Sequence, residues 1–80
     1  MIRGYPNTTK VEIYRDGKKI LDAAALIQEE GIYFDDVDIK ELDIIKVSSV
    51  GIEYRIENIY TQLQGNKVIY KKAKAKKVAG

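Results

Sequence analysis

The residues with the most obvious chemical use are lysines close to the carboxyl end of the chain. Five of them occupy seven successive positions with no acidic residue among them: Lys71, Lys72, Lys74, Lys76 and Lys77. A lysine that meets a phosphate neutralises it and releases a counterion, so this run predicts contact with nucleic acid or another anionic partner. The run also fits docking on an acidic surface of a neighbouring copy, or a solvated chain end. The residues alone leave these three interpretations open.

The rest of the 80-residue chain is acidic. Residues 67–80 carry six lysines and no acidic residue, a charge of +6, whereas residues 1–66 carry 8 basic and 12 acidic residues, a charge of −4. This asymmetry favours a basic tail that acts on an anionic partner. Seven acidic residues form a belt in the middle of the chain, with only Lys40 among them: Glu29, Glu30, Asp35, Asp36, Asp38, Glu41 and Asp43.

Few residues of this chain are suited to catalytic or metal-binding sites. The chain has no cysteine and no histidine, which excludes disulfides, Cys/His zinc sites and catalysis by Ser-His or Cys-His pairs. Asp36 and Asp38 match the start of an EF-hand loop. However, Lys40 and Glu41 stand where that loop needs its third ligand and its glycine. We therefore expect no metal, no cofactor and no enzymatic activity.

Six tyrosines and one phenylalanine raise the question of whether nucleic-acid bases stack on this protein. Tyr54, Tyr60 and Tyr70 alternate in step with apolar residues, which predicts positions in or beside the core. The other three tyrosines are expected to be exposed: Tyr5, Tyr14 and Tyr33. Acidic neighbours such as Glu12 and Asp35 would repel a phosphate backbone there, so the sequence gives base stacking only weak support.

A two-residue turn near the start of the chain predicts a β-hairpin. Asp16 and Gly17 supply the two positive φ angles of a type I′ turn, whose twist matches two antiparallel strands. Residues 10–15 and 18–21 flank this turn, and the first of these runs alternates between apolar and polar side chains.

Further turns divide the second half of the chain. A glycine turn at residues 65–66 joins a long strand, residues 51–64, to a return strand, residues 67–72. Another turn, at residues 48–51, precedes the long strand. The alternation of the long strand breaks near residues 58–60, which predicts a β-bulge or a sharp bend.

The stretch of residues 20–34 is ambiguous between helix and strand. Its alanines favour a helix that would end at Gly31, whereas the preceding hairpin turn favours a strand. A short strand is expected at residues 42–47, and residues 32–34 and 37–39 are expected to form short strands or an extended connection.

Five or six strands joined by tight turns predict an all-β domain, with at most one short helix near residues 20–30. At this length the fitting architecture is a small antiparallel β-barrel or sandwich of the SH3-like kind. Residues 1–72 are assigned to this single domain, and residues 73–80 to a mobile basic tail. No signal peptide and no apolar run of bilayer-spanning length is visible, so we expect a soluble protein without membrane contact. The predicted core comprises Val11, Ile13, Ile20, Leu26, Ile44, Ile52, Tyr54, Ile56, Val68 and Tyr70.

Two adjacent motifs resemble those of a known family. The segment IKELDII, residues 39–45, resembles the I-x-x-G-D-I-I element of small β-barrels, with Leu42 at the position of the glycine. The segment GIEYRIENI, residues 51–59, is similar to the G-x-x-Y-x-V-x-x-V strand that follows that element. With the first hairpin, these motifs resemble the small head–tail connector proteins of tailed phages and prophages, also called stopper or head-closure proteins, over residues 10–74.

The resemblance implies a non-enzymatic structural protein of the virion, present in the virion or the host cytoplasm. Its copies would form a ring that contacts the portal or adaptor ring and the tail proteins and closes the DNA channel. An alternative from the lysines is a small SH3-like or OB-like nucleic-acid-binding module, which should bind DNA or RNA with salt-dependent affinity. A regulatory protein acting through an exposed strand edge is a third interpretation.

Overall fold

The computed structural model describes residues 8–78, which form six β-strands. These are β1 (Thr9–Arg15), β2 (Lys18–Gln28), β3 (Gly31–Phe34), β4 (Ile44–Val47), β5 (Ile52–Gln64) and β6 (Lys67–Lys77). Neighbouring strands are antiparallel, and the order β1-β2-β3-β6-β5-β4 closes into a barrel. The predicted all-β antiparallel barrel is confirmed, in a form consistent with the SH3-like kind. β2 covers most of residues 20–30, so the strand alternative is the correct one there. Over residues 8–78 no helix is long and apolar enough to cross a membrane.

The predicted hairpin turns are also confirmed. Asp16 has a φ of 53° and Gly17 a φ of 78°, the two positive angles of a type I′ turn, and Arg15 pairs with Lys18 across it. The second hairpin turns at Gly65, and residues 48–51 form the turn before β5. These turns make strands that are consecutive in the chain neighbours in the sheet. The pairings of β3 with β6 and of β1 with β4 then close the barrel.

A substitution at Gly17 tests the first turn. Gly17→Val should lower the free energy of unfolding by about 1 kcal/mol or more, because a β-branched residue is strained at positive φ. The space around this position is open, so the effect isolates the backbone angle. Urea unfolding measures the change, with Lys18→Val at the neighbouring exposed strand position as the control. Equal stability of the two variants would contradict the type I′ turn.

The core fills the inside of the barrel, and Phe34 is its largest fully buried side chain. The predictions for Val11, Ile13 and Ile56 are confirmed, since each is 0% exposed. Six further predicted core residues are only half-buried: Leu26, Ile44, Ile52, Tyr54, Val68 and Tyr70. The buried apolar residues among those described are Val11, Ile13, Ala25, Ile32, Phe34, Ile39, Ile45, Val47, Ile56 and Ala73.

Tyr60 lies outside the core, so its predicted inward position is wrong. It is 57% exposed. The register of β5 against β6 shifts between Ile56 and Asn58, so a bulge at Glu57 reverses the alternation of the strand and turns Tyr60 outward. The predicted bulge is therefore real, but it lies slightly earlier than residues 58–60.

Ile20 is likewise misplaced by the sequence prediction, and it is 38% exposed. Ile13 pairs with Leu21 whereas Tyr14 pairs with Lys19, so Ile20 is the extra residue of a bulge in β2. The alternation of β2 therefore changes at this residue, and Ala25 rather than Leu26 reaches the centre of the barrel.

The carboxyl-terminal lysines belong to β6, which extends through Lys77. Ala73 is fully buried and pairs with Ile32 in β3 and with Ile59 in β5. The predicted mobile tail from residue 73 is therefore wrong as far as the structure describes it. The small side chains of this strand bury little apolar area, but the inside of a small barrel accommodates them. Gly31 contributes to the same close approach, because a Cβ there would lie 3.1 Å from the carbonyl oxygen of Ala73.

Candidate interaction surfaces

Strand alternation separates the five predicted contact lysines into two groups. Lys72, Lys74 and Lys76 lie on the outer face of β6, because Ala73 and Ala75 between them face the core. Lys71 points to one end of the barrel, where its Nζ donates a hydrogen bond of 2.7 Å to the carbonyl oxygen of Val37. The remaining member, at position 77, is exposed and pairs with Tyr54 near the end of the strand.

Three tyrosines lie around Lys72, the first of the outward-facing lysines. The rings of Tyr33 and Tyr70 contact each other with centroids 5.5 Å apart at an angle of 59°. The Nζ of Lys72 lies 5.7 Å from the centre of the Tyr33 ring, within the range of a cation–π interaction. Tyr60, which pairs with Lys72, is the third tyrosine. We call this surface the tyrosine–lysine face; it comprises Tyr33, Tyr60, Tyr70, Lys72, Lys74 and Lys76.

A depression of about 380 Å³ lies in the middle of the tyrosine–lysine face. Besides members of that face, its lining includes Asn58, Ile59 and the acidic residue Glu30. Sequence reasoning missed this surface because it placed Tyr60 and Tyr70 inward. The bulge in β5 was the available signal, since it exchanges the two faces of the strand. Tyr5 lies outside the described residues.

The acidic belt is partly neutralised within the chain. Asp36 lies 3.5 Å from the Nζ of Lys71, and Asp38 lies 3.4 Å from a guanidinium nitrogen of Arg15. These two aspartates, which resemble the start of a calcium loop, are therefore ion-pair partners on the surface. In the described part of the chain no three acidic side chains come close enough to hold a metal ion.

Asp43 is the buried member of the acidic belt, with 2% of its surface exposed. Arg15 donates two hydrogen bonds to its carboxylate, from Nε at 2.9 Å and from Nη2 at 2.8 Å. The backbone amide of Lys40 donates a third, at 2.9 Å. Burial alone would raise the pKa of Asp43, but these hydrogen bonds outweigh it and hold the pKa below its ordinary value. The ion pair fixes the connection between β3 and β4 against β1.

The end of the β5–β6 hairpin projects from the barrel. Residues 62–70, here called the arm, pair only with each other among the described strands, because β6 meets β3 only at residues 71–73. The molecule is accordingly elongated, with extents of 40 × 26 × 22 Å. Leu63 on the arm is 53% exposed.

Comparison with protein-family models, with curated proteins and with solved structures gives no match.

Leu42 occupies the position of the glycine in the first sequence motif, residues 39–45. It has a φ of 74°, in the left-handed region that favours glycine, and its side chain is 75% exposed. Its amide donates a hydrogen bond of 2.8 Å to the carbonyl oxygen of Ile56, which holds this conformation. The turn therefore has the geometry that a glycine would adopt, although the residue present is leucine.

Replacing Leu42 tests this strain. Leu42→Gly should raise the free energy of unfolding by about 0.5–1 kcal/mol, because glycine adopts positive φ without the steric cost of a Cβ atom. Leu42→Ala is the matched control, since it removes most of the side chain but keeps the Cβ atom. Thermal or urea unfolding of both variants measures the difference. A Gly variant no more stable than the Ala variant would contradict strain at this position.

Proposed function

We propose that this protein is a non-enzymatic assembly subunit, and specifically a head–tail connector protein of a tailed phage or prophage. The observation that carries the proposal is the arm at the end of the β5–β6 hairpin. It extends beyond the barrel, it has no neighbouring strand among the described residues, and it exposes Leu63. A two-stranded ribbon of this kind is only marginally stable in water on its own. Contact with another protein would stabilise it.

The distribution of unpaired strand edges supports assembly into a ring. β5 pairs with β4 only over residues 52–55, so the edge of β5 beyond Ile56 is open to a partner. β2 pairs with β3 only from Ala25 onward, so its first half offers a second open edge. Open edges add strands from other chains. Two different edges on one subunit are what a head-to-tail contact between identical copies requires.

The family resemblance gains support from the connection before β4. The first motif, residues 39–45, contains two buried isoleucines, a left-handed turn at the position of the family's glycine, and the buried aspartate Asp43. The second motif, residues 51–59, begins at the turn into β5 and follows that strand. The two motifs thus follow each other through the connection before β4 and the β4–β5 hairpin. In the proposed assembly, the arm contacts the neighbouring copy, and the ring contacts the portal or adaptor and the tail.

Two experiments test this proposal. The first is inspection of the genes beside the one that encodes this chain, where portal, capsid and tail genes are expected. The second is complementation in the phage or prophage concerned, with Leu63→Lys as the test variant and Ser49→Lys, in an exposed turn, as the control. Leu63→Lys should fold normally but reduce the yield of tailed particles more than about tenfold, as for a central interface residue.

The control variant shows whether a loss of tailed particles is specific to Leu63. Ser49→Lys should complement as well as the unchanged chain. If Leu63→Lys complements equally well, the arm is not the assembly contact. If the neighbouring genes encode no virion proteins, the assignment to a phage connector is contradicted.

A further inference from the structure

The tyrosine–lysine face combines basic and aromatic side chains on the outside of the barrel, and the core of the barrel does not use them. Lys72, Lys74 and Lys76 follow one another at alternate positions of a β-strand, so their Cα atoms are about 7 Å apart along one line. Lys74 and Lys76 are exposed, and Arg55, which pairs with Lys76, is exposed beside them. This gives a row of positive charge along the outside of the barrel, and the acidic residue Glu30 lines the depression beside it.

The aromatic rings lie beside the row of charge rather than within the core. Tyr60 pairs with Lys72, is more than half exposed, and its hydroxyl donates a hydrogen bond of 2.8 Å to the side-chain oxygen of Gln62. Tyr33 and Tyr70 contact each other on the other side of Lys72 in the same depression. One exposed ring and a ring pair therefore flank a cation.

We propose that the tyrosine–lysine face binds single-stranded nucleic acid. Its phosphates would follow Lys72, Lys74 and Lys76, and a base would stack on Tyr60 beside the Tyr33–Tyr70 pair. Strand-borne aromatic rings flanked by basic residues are how sheet surfaces bind single strands without base-specific hydrogen bonds. The proposal does not rest on the assembly function. It uses outward-facing side chains of β3, β5 and β6 rather than Leu63, although Tyr60 lies on the open-edged part of β5 and Tyr70 on the arm.

The composition of the face favours this ligand over a double helix. In a duplex the bases are stacked on each other and cannot cover an outward-facing tyrosine, whereas a single strand leaves their faces free. A duplex would use the lysines alone, and Tyr60 would then contribute nothing. The role of Tyr60 therefore distinguishes the two kinds of nucleic acid.

Fluorescence anisotropy of a labelled oligothymidine tests the proposal with the full chain. A length of about 12 nucleotides lies within the range that single OB-fold barrels occupy. Tyr60→Ala should weaken binding about fivefold or more, because one base loses its stacking surface. Lys74→Gln should weaken binding and reduce the slope of log affinity against log salt by about 0.7, the value for one phosphate contact on a single strand.

Lys18→Gln is the matched control, since it removes the same charge from an exposed position in the first hairpin. It should change the affinity less than twofold, and the melting temperatures of all three variants should stay close to that of the unchanged chain. Equal weakening by Lys18→Gln and Lys74→Gln would overturn the site, because binding would then follow net charge alone. Absence of binding at low salt would also overturn it. So would duplex binding as tight as single-strand binding, with no effect of Tyr60→Ala on either.

Discussion

A chain that ends at Lys72 is expected to show no cooperative unfolding transition. The deletion of residues 73–80 removes the half of β6 that pairs with Tyr54 to Ile59 in β5, and with it the buried Ala73. It also removes the pairing of Ala73 with Ile32, which helps close the barrel between β3 and β6. A domain of this size has a free energy of unfolding of about 4–12 kcal/mol, and the loss of half a central strand exceeds that margin.

Circular dichroism during heating measures this outcome. A chain that ends at Val78 is the control, because it keeps all six described strands, and it should melt as the full chain does. If the chain ending at Lys72 instead unfolds cooperatively with stability within about 0.5 kcal/mol of the full chain, residues 73–77 contribute nothing to the barrel. That result would restore the mobile tail.

Asp43→Asn is expected to lower the free energy of unfolding by about 2–4 kcal/mol at pH 7. The carboxylate of Asp43 is buried and accepts three hydrogen bonds, two from Arg15 and one from the amide of Lys40. An amide side chain removes the charge that balances the guanidinium and replaces one acceptor by a donor. Asp38→Asn is the control, because Asp38 is 66% exposed at 3.4 Å from Arg15, and its loss should cost less than about 0.5 kcal/mol.

The effect of Asp43 should also depend on pH. Its pKa is lower in the folded chain than in the unfolded chain, so its contribution is fully present above the ordinary carboxyl pKa, near 4. The contribution disappears as the pH falls through the pKa of the folded state. Urea unfolding from pH 7 to pH 2 should therefore show the difference between Asp43→Asn and the unchanged chain shrinking below about pH 4. A difference that stays constant over this range would contradict the lowered pKa.

The sequence predicted those parts of the fold that depend on local backbone angles. Asp16 and Gly17 identified the first hairpin, because few pairs of residues adopt two positive φ angles. The alternation of β1 correctly placed Val11 and Ile13 inside. Both inferences rest on short-range properties that the rest of the chain does not change.

The sequence failed where alternation was shifted by one residue. Ile44 and Ile45 are adjacent and equally apolar, so composition does not determine which of them faces inward; the pairing of β4 places Ile45 there. The alanines of β2 and β6 gave no hydrophobic signal, yet Ala25 and Ala73 are fully buried because the barrel is narrow there.

The sequence did not predict the tyrosine–lysine face for the same reason, a shift of strand alternation by one residue. A single bulge residue in β5 moves Tyr60 from the inside to the outside, next to Lys72 in β6. The sequence shows the lysines as a group, but their division into an outward row and a part-buried hydrogen bond from Lys71 depends on the pairing of β6 with β3 and β5. Only the register of the folded barrel provides that information.

Electron microscopy of particles made without this chain tests the proposed function most directly. The gene is deleted from the phage or prophage genome that carries it, and the particles are compared with those made when the chain is supplied from a plasmid. The proposal predicts heads and tails that are both present but not joined, with joining restored by the supplied chain. Complete tailed particles in normal numbers without the chain would contradict the proposed connector function.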